Sequence, residues 1–202
     1  TVVLDAQPDS DVVISVTSGD TGEATVSPSS LTFTNANWNN AQTVTVTGVD
    51  DNIIDGNINT TITMSVDDDN SDNNFDALAD QTVTATTTDD DTAGFTLSTT
   101  TATVTEAAST ATFTVVLDAQ PDSDVVISVT SADTGEVTVS AAELTFTNGN
   151  WNSAQTVTLT GVDDNLVDGS VNTLVTMAVK DASSDDNFDS VSDQTVTVTT
   201  TD

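Results

Sequence analysis

Apolar and polar residues alternate along most of the chain. In Ala111–Leu117 the apolar side chains of Phe113, Val115 and Leu117 share one face. In Val125–Thr130 the same holds for Val125, Ile127 and Val129. This period of two, broken by Asp, Asn, Gly and Pro, predicts half-buried β-strands joined by turns. The spans are Phe95–Thr105 (interrupted near its middle), Ala111–Leu117, Val125–Thr130, Leu144–Thr147, Gln155–Thr160, Thr173–Val179 and Gln194–Thr201. Leu144 and Phe146, Val157 and Leu159, Val175, Met177 and Val179, and Val196 and Val198 supply the remaining inward positions. Seven short strands in about 110 residues predict an Ig-like antiparallel β-sandwich.

The pattern occurs twice. Thr1–Pro8 recurs as Thr114–Pro121, and the offset of 113 residues holds without a gap until Asp89 meets Asp202. Of those 89 aligned positions, 66 are identical. The chain therefore reads as two tandem all-β sandwiches, residues 1–91 and 92–202, descended from a recent duplication. The first copy begins inside its second strand and has no counterpart of Phe95–Thr105. A window cut from a longer array explains this most simply; a strand donated by a neighbouring molecule is the other explanation.

Composition narrows the function. Asp and Glu number 33 against one Lys, with no His and no Cys, for a net charge of −32. Such a surface repels nucleic acid and anionic lipid. No apolar run approaches the ~20 residues of a membrane span. Without His or Cys, only carboxylate catalysis of the glycosidase type is open. Two near-identical active sites in series would be unusual, so the chain is not expected to be an enzyme. The absence of disulfides suggests a metal as an alternative staple in a secreted, Ca²⁺-rich setting.

Only Glu23, Glu106, Glu136 and Glu143 are glutamates; the other acids are Asp, which favours turns. If successive strands run antiparallel, one pole of the second copy collects Glu106, Asp133, Glu136, Asp163, Asp164, Asp168 and Asp202. The first copy repeats this with Asp20, Glu23, Asp50, Asp51, Asp55 and the junction triplet Asp89, Asp90 and Asp91. Like charges at ~4 Å repel by about 4 kcal/mol per pair at an effective dielectric of ~20. A cation would relieve that repulsion. Ca²⁺, with 6–8 oxygen ligands in tolerant geometry, suits the cluster better than Mg²⁺. The opposite pole holds Asp118, Asp122, Asp124, Asp185, Asp186, Asp189 and Asp193, where a solvated surface is the expectation. Asp67–Asp72 begins like an EF-hand but lacks its Gly and distal Glu, and reads as a loop. Trp38 and Trp151 sit among Asn residues; they either plug the end of a sandwich or stack on sugar.

The residues from Leu31 to Trp38 and from Gln42 to Asp51, with Val104-Thr105-Glu106 and the closing Asp89-Asp90-Asp91, resemble the Calx-β domain. That family is known from regulatory loops of sodium–calcium exchangers and from tandem arrays in bacterial surface adhesins. The resemblance covers both copies. It implies Ca²⁺ ligands at Glu106, Glu136, Asp163, Asp164, Asp168 and Asp202. In the first copy it implies Glu23, Asp50, Asp51, Asp55, Asp89, Asp90 and Asp91. The expected protein is a cell-surface extender of repeats, stiffened by Ca²⁺ at each junction. Its expected partners are neighbouring repeats and laterally associated copies, with no nucleic acid and no membrane insertion. The alternative is a module that binds glycan or protein.

Overall fold

A computed structural model describes residues 1–167 and 169–202. The chain forms two compact units. One comprises Thr1–Asp51 and Asp55–Asp89, the other Asn52–Ile54 and Asp90–Asp202. Among the described residues there is no α-helix, only three-residue 3₁₀ turns. None is long and apolar enough to cross a membrane.

The first unit contains β1 (Val12–Ser18), β2 (Ala24–Ser27), β3 (Ser30–Phe33), β4 (Thr45–Gly48), β5 (Ile58–Val66) and β6 (Gln81–Thr87). Its larger sheet runs β3-β1-β5-β6, and β2 pairs with β4. In β1 the alternation is expressed directly: Val12, Ile14 and Val16 are buried, while Val13 and Ser15 between them are half-buried. Leu31, Phe33 and Ile62 complete that core.

The second unit contains β7 (Phe95–Leu97), β8 (Thr101–Thr105), β9 (Thr110–Leu117), β10 (Val125–Ser131) and β11 (Val137–Val139). It continues with β12 (Glu143–Phe146), β13 (Gln155–Gly161), β14 (Val171–Val179) and β15 (Gln194–Thr201). One sheet runs β12-β10-β14-β15-β8 and the other β11-β13-β9-β7. Between them lies a continuous core that includes Phe95, Phe113, Phe146, Leu159, Met177 and Phe188. The fold is the all-β sandwich that the alternation predicts.

Two details differ from the sequence expectation. The break in Phe95–Thr105 is a change of sheet: β7 pairs antiparallel with β9, and β8 pairs parallel with β15. The sandwich is therefore antiparallel except along that edge. Strand β11 was not expected. It is three residues long, and Val-Thr-Val inside an acidic loop gives too few alternations to read. It extends the second sheet by pairing with β13.

Trp38 and Trp151 plug their units. Each packs partly buried against its own core. Their carbonyls accept from Leu4 N–H and Leu117 N–H, both at 3.2 Å.

Candidate metal centre

One end of each unit is tied together by hydrogen bonds between its loops. In the second unit Gly161 N–H donates to Ser109 O (3.1 Å), Val162 N–H to Glu136 O (2.9 Å) and Ala132 N–H to Leu174 O (2.9 Å). At the same end Glu106 N–H donates to Thr201 O (3.1 Å), and Gly169 N–H to the Asp202 carboxylate (3.2 Å). In the first unit Val49 N–H and the Thr87 hydroxyl both donate to Glu23 O at 2.8 Å. Gly56 N–H donates to the Asp89 carboxylate at 2.8 Å. These bonds place acids distant in sequence at one pole.

Turn chemistry then aims them. The Asp20 carboxylate accepts Gly22 N–H at 2.9 Å, closing the turn that delivers Glu23. Gly56, immediately after Asp55, has φ +73°. A side chain would strain that left-handed conformation, so Gly suits it. Gly169, its counterpart, has φ +78°.

The result is a group of three. One carboxylate oxygen each from Glu23, Asp51 and Asp55 lies within 4.8 Å of the others. Glu23 is half-buried and the two Asp are exposed. Burial, then the charges of Asp55, Asp51, Asp20 and Asp89, holds the Glu23 carboxyl above the ordinary glutamate range. A proton relieves such crowding, and a cation does so more fully. Ligands at 2.3–2.6 Å from one Ca²⁺ can lie at most about 5 Å apart, so the spacing and the all-oxygen donor set fit that ion.

The other residues expected at this pole fall as follows. Asp50 is exposed and outside the group of three. Asp89 is half-buried in the first unit, whereas exposed Asp90 and half-buried Asp91 belong to the second. The 113-residue offset makes Glu136, Asp164 and Asp168 the counterparts of the group. Glu136 is buried, Asp164 is half-buried, and its carboxylate accepts Leu166 N–H at 2.6 Å. Asp168 lies outside the described residues. Glu106 is buried, while Asp163 and Asp202 are exposed. The one basic side chain, Lys180, is engaged with Glu143 at 2.6 Å.

Sequence reasoning missed a second use of acid. Asp185 at the opposite pole is 5% exposed, and its carboxylate accepts N–H groups of Asp122 (2.7 Å), Ser123 (3.0 Å) and Asn187 (2.9 Å). Asp72, its counterpart, accepts from Asp9 (2.7 Å), Ser10 (3.2 Å) and Asn74 (2.9 Å). These bonds hold Asp72 below the usual aspartate range. Burial pushes Asp185 up, but its three backbone donors outweigh that and the net shift is downward. Both residues are loop staples. The signal available was their place in Ser-Asp-x-Asn-Phe of both copies, where an Asp can accept the N–H two residues ahead.

No family model matches the chain, and no curated protein matches it. Among solved structures it is similar to domains 4 and 5 of the S-layer protein SbsC. That match has 17% identity and a TM-score of 0.46, covering 94% of this chain and 70% of the other. A longer SbsC structure, rSbsC(31-844), matches at 16% identity and a TM-score of 0.43, covering 93% of this chain and 20% of that one. The E. coli chaperone DraB matches at 9% identity and a TM-score of 0.39, covering 53% of this chain and 54% of that one.

Proposed function

We propose that this chain is a structural spacer of a secreted or cell-surface protein, and that it holds Ca²⁺ at the acidic pole of each sandwich. The group formed by Glu23, Asp51 and Asp55 carries the proposal. Its support is the Glu23 carboxyl, held above the ordinary glutamate range by burial and then by the neighbouring charges of Asp55 and Asp51.

In this reading Glu23, Asp51 and Asp55 hold the ion of the first copy, with Asp89 beside them. Glu136, Asp164 and Asp168 hold that of the second, with Glu106, Asp163 and Asp202. When bound, Ca²⁺ supplies charge neutralisation and a fixed geometry for loops that otherwise repel. Asp89, Asp90 and Asp91, at the covalent joint, extend this role to stiffening successive repeats, as the Calx-β resemblance implies. Small-angle scattering with and without chelator tests it: removing Ca²⁺ should broaden the distribution of interatomic distances. Identical profiles would reduce the acids to a solvated surface. The glycan-binding alternative has less support, because Trp38 and Trp151 are packed against their cores.

A further inference from the structure

Asn52, Ile53 and Ile54 stand in the middle of an acidic loop, in the run Asp50-Asp51-Asn52-Ile53-Ile54-Asp55-Gly56. Two adjacent large aliphatic side chains have nothing to pack against in a solvated loop of this charge. The second copy nevertheless repeats the pair, as Leu166 and Val167 between Asp164 and Asp168. Asp51 and Asp55 each bring one carboxylate oxygen to the group that lies within 4.8 Å. The three residues between them therefore form a short excursion, held at both ends by acids of that group.

That excursion is part of the second compact unit, although Asp51 and Asp55 on either side of it are part of the first. Within the second unit Ile53 makes a parallel bridge to Gln120, and the Gln120 N–H donates to Asn52 O at 2.8 Å. Ile54 is half-buried and packs against the unit's core. Gln120 lies in the turn that follows β9, flanked by buried Ala119 and Pro121. The backbone pairing fixes the register of the excursion, and Ile54 takes apolar surface out of water.

We infer that Asn52–Ile54 is a clasp that couples cation binding by Glu23, Asp51 and Asp55 to seating on the turn at Gln120. Its partner is a sandwich of the same kind, recognised through one backbone N–H and an apolar seat for Ile54. The inference rests on the reading of that pole as a Ca²⁺ site. Without an ion, the charges of Asp51 and Asp55 repel and spread the two ends of the excursion. An ion draws both ends to one point and fixes the three residues between them. The coupling is reciprocal: a seated clasp orders two ligands in advance, so it strengthens Ca²⁺ binding by the factor by which Ca²⁺ strengthens seating.

The test follows amide exchange at Gln120 in the full 202-residue chain, in Ca²⁺ and in chelator, beside calorimetric titration with Ca²⁺. Ca²⁺ should slow exchange of the Gln120 N–H by at least about fivefold, the lower end of ordinary coupling between sites. In an Ile53→Ser/Ile54→Ser variant that slowing should disappear, and the first copy's site should weaken by a similar factor while the second copy's uptake is unchanged. Ile54→Val, which keeps an aliphatic side chain in the seat, should retain most of the coupling. No saturable uptake of Ca²⁺ by the parent chain would overturn this inference together with the reading it rests on. Uptake by the parent with Gln120 exchange unchanged would overturn the clasp alone, and that measurement needs no variant. A double variant that keeps the parent affinity, with Trp38 and Trp151 fluorescence showing both copies folded, would do the same.

Discussion

Val46 and Leu159 occupy one place in two copies of one sequence, yet their surroundings are opposite. In the second copy β13 alternates into a closed core, and Val157 and Leu159 are fully buried between two four- and five-stranded sheets. In the first copy β4 is a four-residue strand with every residue exposed, paired only with β2. Near-identical local sequence thus gives strand in both, while burial depends on strands contributed from elsewhere. Alternation encodes which face is apolar; it does not ensure that something covers that face.

The largest test of this contrast is a matched pair of truncations. Leu159→Ala should cost the second unit about 3 kcal/mol, whereas Val46→Ala should cost the first less than about 0.5 kcal/mol. Each copy has a single Trp, so fluorescence with Trp38 or Trp151 replaced by Phe reports the units separately. Equal losses would mean that the first core is closed in solution.

Gly161 and Gly48 provide the next pair. A Cβ on Gly161 would overlap the Thr105 carbonyl, where β8 crosses the end of β13. On Gly48 it would meet only the Thr87 side chain, its methyl at 3.6 Å and its hydroxyl at 3.9 Å. Gly161→Ala should therefore destabilise by about 2 kcal/mol, and Gly48→Ala should stay within about 0.5 kcal/mol in urea denaturation.

The loop staples are where the copies should agree. Asp185→Ala should cost about 2 kcal/mol through lost charge-assisted hydrogen bonds, and Asp72→Ala should act in the same direction. Both carboxyls are held below their ordinary range. Their contribution is therefore complete above the unfolded aspartate pKa and is lost as pH falls through the lower native value. Acid titration of the two alanine variants should show a flatter stability profile below about pH 4 than the parent chain. A copy whose profile did not change would have a loop held by other contacts.

Least affected should be Lys180→Ala. Its pair with Glu143 is exposed on both sides, at 42% and 52%, and exposed pairs contribute about 0–1 kcal/mol. A larger loss, read from thermal unfolding, would give the lone cation a structural role.

The sandwich was legible because Phe113, Val115 and Leu117 alternate over a full strand, as do Val125, Ile127 and Val129. Strand β11 was not, since Val137 and Val139 offer one alternation and owe their burial to β13. The change of sheet between β7 and β8 was visible only as an interruption, because pairing partners 18 to 96 residues away select the sheet. At the acidic pole, strand parity indicated which loops converge. It could not separate Glu23, Asp51 and Asp55, which lie together, from Asp50, which is outside that group: adjacent residues in an extended segment tend to face opposite ways. Asp72 and Asp185 resembled any surface Asp because the N–H groups they accept lie mostly more than 60 residues away.

The central claim, that these poles hold Ca²⁺, is tested most directly by calorimetric titration of the metal-free chain with Ca²⁺ at neutral pH, beside a Glu23→Gln/Asp55→Asn variant. The account predicts saturable binding that weakens on acidification, because Glu23 retains its proton to higher pH than an ordinary glutamate and metal must displace it. It further predicts that the double variant loses the first copy's site, at least tenfold in affinity, while the second copy's uptake persists. No saturable uptake by the parent chain, or uptake unchanged in the variant, would contradict it.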